Sequence, residues 1–211
     1  MGGGVGIGNR SAVAEYNILC DRTSDLYVPS VLNESLISFS SAEAAQIVLD
    51  APIKKTMIPL NVSHTAIFTS TVHRRLLSGP SSTQTPTPKD DFPLYPGESL
   101  QHLPPPATPL RNTLSAIMLF FAHTYRETFN FVDGPPFHDA LTIAYLSRPD
   151  IFKVKRYRVD VELAGTHTVG ETVVDTWNYR ALGEDSWGPD GKNCLVAESV
   201  NVSVAFQYTQ I

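Results

Sequence analysis

Apolar positions recur at helical spacing in Ser41–Leu49, where Ala45, Val48 and Leu49 share one face. A small hydroxyl residue opens the segment, and Glu43 places a carboxylate in the first turn, where the helix dipole favours it. Lys54–Val62 reads as a buried strand, and His64–Leu77 as the next helix. Asn112–Asn130 predicts a longer helix capped by Asn112 or Thr113, with Leu114, Ile117, Met118, Phe121 and Tyr125 on its apolar stripe. Asp139–Ser147 predicts another, stopped at Arg148-Pro149. The period then changes to two. Tyr157, Val159, Val161 and Leu163 alternate with Arg158, Asp160 and Glu162, with Glu171–Trp177 as antiparallel partner. Val200, Val202, Val204 and Phe206 alternate again. Helices and strands in alternation, followed by a hairpin, predict an α/β fold.

Composition narrows the classes. The chain has 211 residues, 42% of them hydrophobic and 18% charged, enough for a packed core. The net charge of −5 supplies no global basic field, so neither nucleic acid nor an anionic membrane is expected as a partner. Two cysteines, Cys20 and Cys194, exclude a disulfide framework. No apolar run reaches the ~18 residues of a spanning helix. The glycine-rich start lacks the basic and apolar regions of a signal peptide, so the expected setting is cytoplasmic. Nine of the 16 prolines fall between Pro80 and Pro109, which marks 79–111 as a Pro/Ser/Thr-rich surface loop.

Two segments gather polar residues that could carry chemistry. In Gly8-Asn9…Glu15-Tyr16-Asn17, glycines allow close backbone approach, and a carboxylate and a carboxamide two residues apart can hold alcohol groups. An ordinary glycine-rich loop leading into a helix fits the same pattern. In Asp133-Gly-Pro-Pro-Phe-His138-Asp139, a stiff turn delivers His138 and Asp139 to a helix start. His138 could protonate a leaving group, and Asp139 could bind a hard cation or a sugar hydroxyl. A plain loop histidine followed by an N-cap is the simpler account. His64 could line a pocket, although a surface or capping role is the commoner one. His167 falls in a hairpin turn.

Met1-Gly-Gly-Gly…Gly8-Asn9…Ala14-Glu15-Tyr16-Asn17 with Cys20-Asp21, and Gly134-Pro-Pro-Phe-His138-Asp139-Ala-Leu-Thr-Ile-Ala-Tyr145, resemble two motifs of the inosine/uridine-preferring nucleoside hydrolases. Ala42-Glu43-Ala44-Ala45, Met57–His64 and Glu162…Asp175 fit the same family in the same order. The resemblance implies an open, mainly parallel α/β sheet with an antiparallel hairpin. It also implies a ribonucleoside substrate whose N-glycosidic bond is hydrolysed, and a Ca²⁺ ion that holds the ribose diol and the attacking water. By matched position, His138 is the acid that assists departure of the base, and Asp139 a calcium ligand and ribose acceptor. Asn9 and Glu15 grip the 5′-hydroxyl end, Asn17 binds the diol, and Met1 lines the ribose pocket.

Three departures qualify this. The family's opening Asp-x-Asp-x-Gly-x-Asp-Asp motif, which supplies most of the calcium shell and the water-activating base, is not in the chain. The closing helix has no counterpart after Phe206. Residues 22–41 interrupt a normally continuous motif and read as an insert. The expectation is therefore a partial nucleoside hydrolase domain over 1–211 with an incomplete sheet, prone to self-association through its open edge. Two functions stay open: a nucleoside hydrolase by descent, and a non-catalytic remnant or nucleoside-binding module without the aspartate cluster.

Overall fold

A computed structural model of the chain describes residues 42–78, 103–164, 168 and 170–205. The N-terminal glycine-rich motif, the 22–41 insert, most of the proline-rich loop and Phe206 lie outside them. The described residues divide into two units, one containing 42–62 and 152–199, the other 63–151 and 200–205. No helix among the described residues is long and apolar enough to cross a membrane.

The first unit begins with helix α1 (Ala42–Asp50), whose Ala42 is fully buried. Strand β1 (Thr56–Met57) follows. The strand predicted over Lys54–Val62 is thus much shorter. Pro59 has no N–H for a ladder, and the chain turns into helix α2 (Leu60–Ser63), begun by the bond from Val62 N–H to the Pro59 carbonyl at 2.9 Å. The other strands of this unit are β2 (Phe152–Tyr157), β3 (Val159–Val161), β4 (Thr172–Val174) and β5 (Cys194–Val200).

One sheet has the order β1-β5-β2, with β1 and β5 parallel in the register Thr56–Leu195 and Met57–Val196. The other is the predicted antiparallel hairpin, with Val159 opposite Val174 and Val161 opposite Thr172. Tyr157, Val159, Cys194 and Val196 form the centre of the core, with Leu49, Met57 and Val174 against it.

Two details of the period-two reading change. Arg158 is buried, because it breaks the run between β2 and β3 and its guanidinium finds partners inside. Asp50 lies 2.9 Å away, Asp160 also pairs with it, and the Gly188 and Pro189 carbonyls accept from Nη1 at 3.3 and 3.0 Å. The strand predicted through Val200–Phe206 sits earlier, as β5. Asn201 then starts helix α6 (Val202–Ala205), its Oδ1 accepting the Val204 N–H at 3.3 Å.

The second unit carries α3 (Ser70–Ser78), α4 (Pro109–Phe129) and α5 (Asp139–Ser147), the last followed by a 3₁₀ turn at Pro149–Ile151. Helix α4 starts three residues before the predicted cap. Thr108 is extended, its Oγ1 accepts the Arg111 N–H at 3.3 Å, and Pro109 occupies the first turn, where its missing N–H costs nothing. Asn130, in the left-handed region at φ 59°, ends it.

The buried face of α4 is also different. Leu114, Ile117 and Phe121 are exposed, whereas Arg111, Ser115 and Ala122 are buried. The α3–α4 seam is polar at one end. Arg111 Nη1 donates to the Leu76 carbonyl at 2.6 Å, and Ser115 Oγ lies 2.6 Å from His73 Nε2.

Candidate functional site

His138 and Asp139 enter the second unit through the Gly-Pro-Pro turn. Gly134 has φ 136°, a backbone region that residues with a Cβ avoid, and Gly134, Pro135 and Pro136 are buried. The turn is pinned to the segment before α3. Phe68 N–H donates to the Pro135 carbonyl at 2.9 Å, and Phe137 N–H to the Ala66 carbonyl at 2.8 Å, around an Ile67–Pro136 bridge. The Phe68 and Phe137 rings meet edge to face, 5.4 Å apart. These contacts fix where α5 begins.

The pinning places His138 beside residues 63 and 64. Ser63 Oγ is 2.8 Å from His138 Nδ1, and the two residues are 75 apart in sequence. The His64 ring is 5.3 Å from the His138 ring at 55°, and 5.3 Å from Phe131 edge to face. Tyr125, near the end of α4, brings its ring to 5.9 Å from His138. Burial, and to a lesser degree the neighbouring His64, push His138 down to about 4 against the opposing charge of Asp139. Burial lowers His64 as well. Both rings are therefore neutral near pH 7, and a neutral imidazole donates from one nitrogen only.

Asp139 is the first residue of α5 and is exposed. It is not the N-cap. His138 holds that position, and its side chain makes no capping bond. A carboxylate in the first turn suits the positive end of the helix. Helix α5 runs over Asp139–Ser147 as expected, and Arg148 closes it with an N–H to the Ala144 carbonyl at 2.8 Å.

Of the expected site residues, the structure describes His138 and Asp139 and sets them side by side. Met1, Asn9, Glu15, Asn17 and the weaker candidate His167 lie outside the described residues. His64, read from sequence as a surface or capping residue, is half-buried against His138. The sequence does not single out Ser63, Tyr125 or Phe131 as site residues, since only the fold brings them near the turn. Among the described residues, no three His, Cys, Asp or Glu side chains come together as a metal cluster. Calcium takes six to eight oxygens, so these residues by themselves do not fit that ion.

A family model described as inosine-uridine preferring nucleoside hydrolase matches residues 38–207. The "Probable ribonucleoside hydrolase" of Dictyostelium discoideum is 32% identical over 202 residues, covering 96% of this chain and 45% of its own length. The pyrimidine-specific ribonucleoside hydrolase RihA of Salmonella paratyphi A is 31% identical over 178 residues, covering 83% and 41%. The chain thus spans less than half the length of these curated relatives. Among solved structures, the plant nucleoside hydrolase PpNRh1 matches with a TM-score of 0.58 at 17% identity, over 81% of this chain and 44% of its own. The purine-preferring ribonucleoside hydrolase from Gardnerella vaginalis gives 0.54 at 20%, over 81% and 43%. At these identities the structural likeness shows a shared α/β fold with an open sheet.

Proposed function

We infer the function of this chain from the family it belongs to, the inosine-uridine preferring nucleoside hydrolases. In this reading the chain contributes the leaving-group side of a site that hydrolyses the N-glycosidic bond of ribonucleosides to ribose and free base. The observation that carries it is the His138–Asp139 pair, fixed at the start of α5 by the turn at 134–137.

Breaking a C–N glycosidic bond builds positive character on the ribose and negative charge on the base, by analogy with glycosides. His138, neutral near pH 7, would assist departure of the base by donating a hydrogen bond from its one N–H to the negative charge that develops there. Its half-buried ring, packed near His64 and Tyr125, is held in one place for that hydrogen bond. Asp139, exposed at the head of α5, would accept from a ribose hydroxyl and favour the oxocarbenium-like sugar. Asn9, Glu15 and Asn17 would hold the rest of the ribose, and Met1 would line its pocket.

Calcium is the ion the family resemblance implies, with Asp139 as one ligand. One carboxylate does not make that shell, and no step of the proposal runs through the ion.

The single carboxylate that the described residues set beside His138 supports a second reading, in which this chain binds a ribonucleoside without turning it over. Base release from uridine and inosine by the 211-residue chain with Ca²⁺, measured beside calorimetric nucleoside binding, separates the two. EDTA-sensitive turnover that falls in His138→Ala establishes the hydrolase. Binding lost in Asp139→Ala, without base release, establishes the binding module. Neither binding nor turnover overturns both.

A further inference from the structure

A neutral imidazole that assists a leaving group does so by a hydrogen bond, and its one N–H must lie on the nitrogen facing that group. In a neutral ring, the partner of the other nitrogen decides which one that is. For His138 the inner nitrogen is Nδ1, and its partner is the Ser63 hydroxyl at 2.8 Å. Ser63 is only 2% exposed and closes α2, with its own carbonyl taken by the Ala66 N–H at 3.0 Å. The backbone bonds from Phe68 to Pro135 and from Phe137 to Ala66 hold the two segments in register. The contact is therefore set by the fold rather than by two loose side chains.

A serine hydroxyl can play either part. If Nδ1 donated to Ser63, Nε2 would be a bare acceptor and could only remove a proton. If Ser63 donates to Nδ1, Nε2 carries the hydrogen and the neutral ring can donate a hydrogen bond to the departing base. Among the described residues, the other groups facing His138 are His64, Tyr125 and the adjoining Asp139.

We propose that Ser63 is the positioning residue of His138, donating its hydroxyl to Nδ1 and holding the ring with its proton on Nε2. This rests on the reading of His138 as the residue that assists departure of the base, and it deepens that reading.

The test reads the tautomer directly. The 211-residue chain, labelled with ¹⁵N-histidine, is examined by long-range ¹H–¹⁵N correlation at about pH 8, above the ordinary imidazole pKa. His138→Gln identifies the signals. The expected result is the Nε2–H pattern in the unaltered chain and in Ser63→Thr, and a mixture of tautomers in Ser63→Ala. If the alanine variant does not fold, Ser63→Cys, nearly isosteric and a weak donor, gives the same comparison. An Nδ1–H pattern in the unaltered chain, or an unchanged pattern without the hydroxyl, overturns the proposal. No nucleoside or metal enters the measurement. Its failure leaves the hydrolase reading standing, and a failed base-release assay leaves the tautomer result standing.

Discussion

Asn193 pairs with Val159 as a neighbouring strand would. Its Oδ1 accepts the Val159 N–H at 2.8 Å, and its Nδ2 donates to the Val159 carbonyl at 2.8 Å. The same Nδ2 also donates to the Leu49 carbonyl at the end of α1, at 2.9 Å. Both residues are fully buried, so one amide satisfies the two main-chain groups of Val159 away from water and the half-buried Leu49 carbonyl as well. Asn193→Ala leaves all three unpaired, and the expected loss is about 3 kcal/mol. Asn193→Asp keeps the acceptor but strands a carboxylate and both carbonyls, so it is expected to lose as much or more. Urea midpoints of the three proteins check this, and an alanine variant within 0.5 kcal/mol of the unaltered chain, on the order of an ordinary surface change, would contradict it.

The burial of His73 gives the second unit a pH dependence. His73 is fully buried, with the Phe68 ring 5.2 Å away, and burial lowers its pKa to about 4. In the unfolded chain the value is about 6.5. Above ~6.5 both states are neutral and the full stability is present. As pH falls from there towards about 4, the unfolded chain takes a proton that the folded one refuses, and stability drops by about 1–3 kcal/mol. Below about 4 this group adds no further loss. His64 and His138 are also lowered by burial and add to the slope, so the contribution of His73 is the difference between the unaltered chain and His73→Phe. Parallel curves for the two proteins between pH 7 and pH 4.5 would sink the assignment.

Local signals made some of these elements legible and left others hidden. Asp139–Ser147 and the hairpin announce themselves through the Arg148-Pro149 stop and the period-two alternation. The α3–α4 seam does not. Arg111 and Ser115 read as solvent-facing in any apolar pattern, yet they are buried because α3 offers a carbonyl and an imidazole to meet them. The site divides in the same way. His138 and Asp139 stand out as a motif, whereas Ser63 joins His138 across 75 residues through backbone bonds that no spacing rule foretells. The ribose-side residues Met1, Asn9, Glu15 and Asn17 rest on the family resemblance alone.

Arg158 is the buried charge on which the first unit depends. Its side chain is 6% exposed, while Asp50 and Asp160 are 34% and 24% exposed. Removing the guanidinium leaves two carboxylates and the Gly188 and Pro189 carbonyls without their shared donor. Loss of one partner from a fully buried pair costs about 3–5 kcal/mol, and solvent at the carboxylates reduces this to roughly 2–3. Arg158→Met is the informative variant, since it keeps the length of the stem. Calorimetric melting of Arg158→Met should show this loss, and Arg148→Met, whose pair with Asp150 lies at the surface, should show almost none.

The two faces of α4 should respond oppositely to mutation. The stripe that reads as core from sequence is turned outward. Phe120 is 68% exposed and Phe121 45%, while Ala122 is 3% exposed. Phe120→Glu therefore removes no buried contact and should leave the melting temperature nearly unchanged. Ala122→Leu forces extra methylenes into a filled seam and should cost about 1–3 kcal/mol. The exposed rings also predict the solution behaviour of the chain. Leu114, Ile117, Phe120 and Phe121 present apolar area on successive turns of one helix, which drives association at high concentration. Sedimentation velocity should show concentration-dependent association in the unaltered chain and a reduced tendency in Phe120→Glu. Were Ala122→Leu the tolerated change and Phe120→Glu the disruptive one, the sequence stripe would be the packed face after all, and the orientation of α4 described above would be wrong.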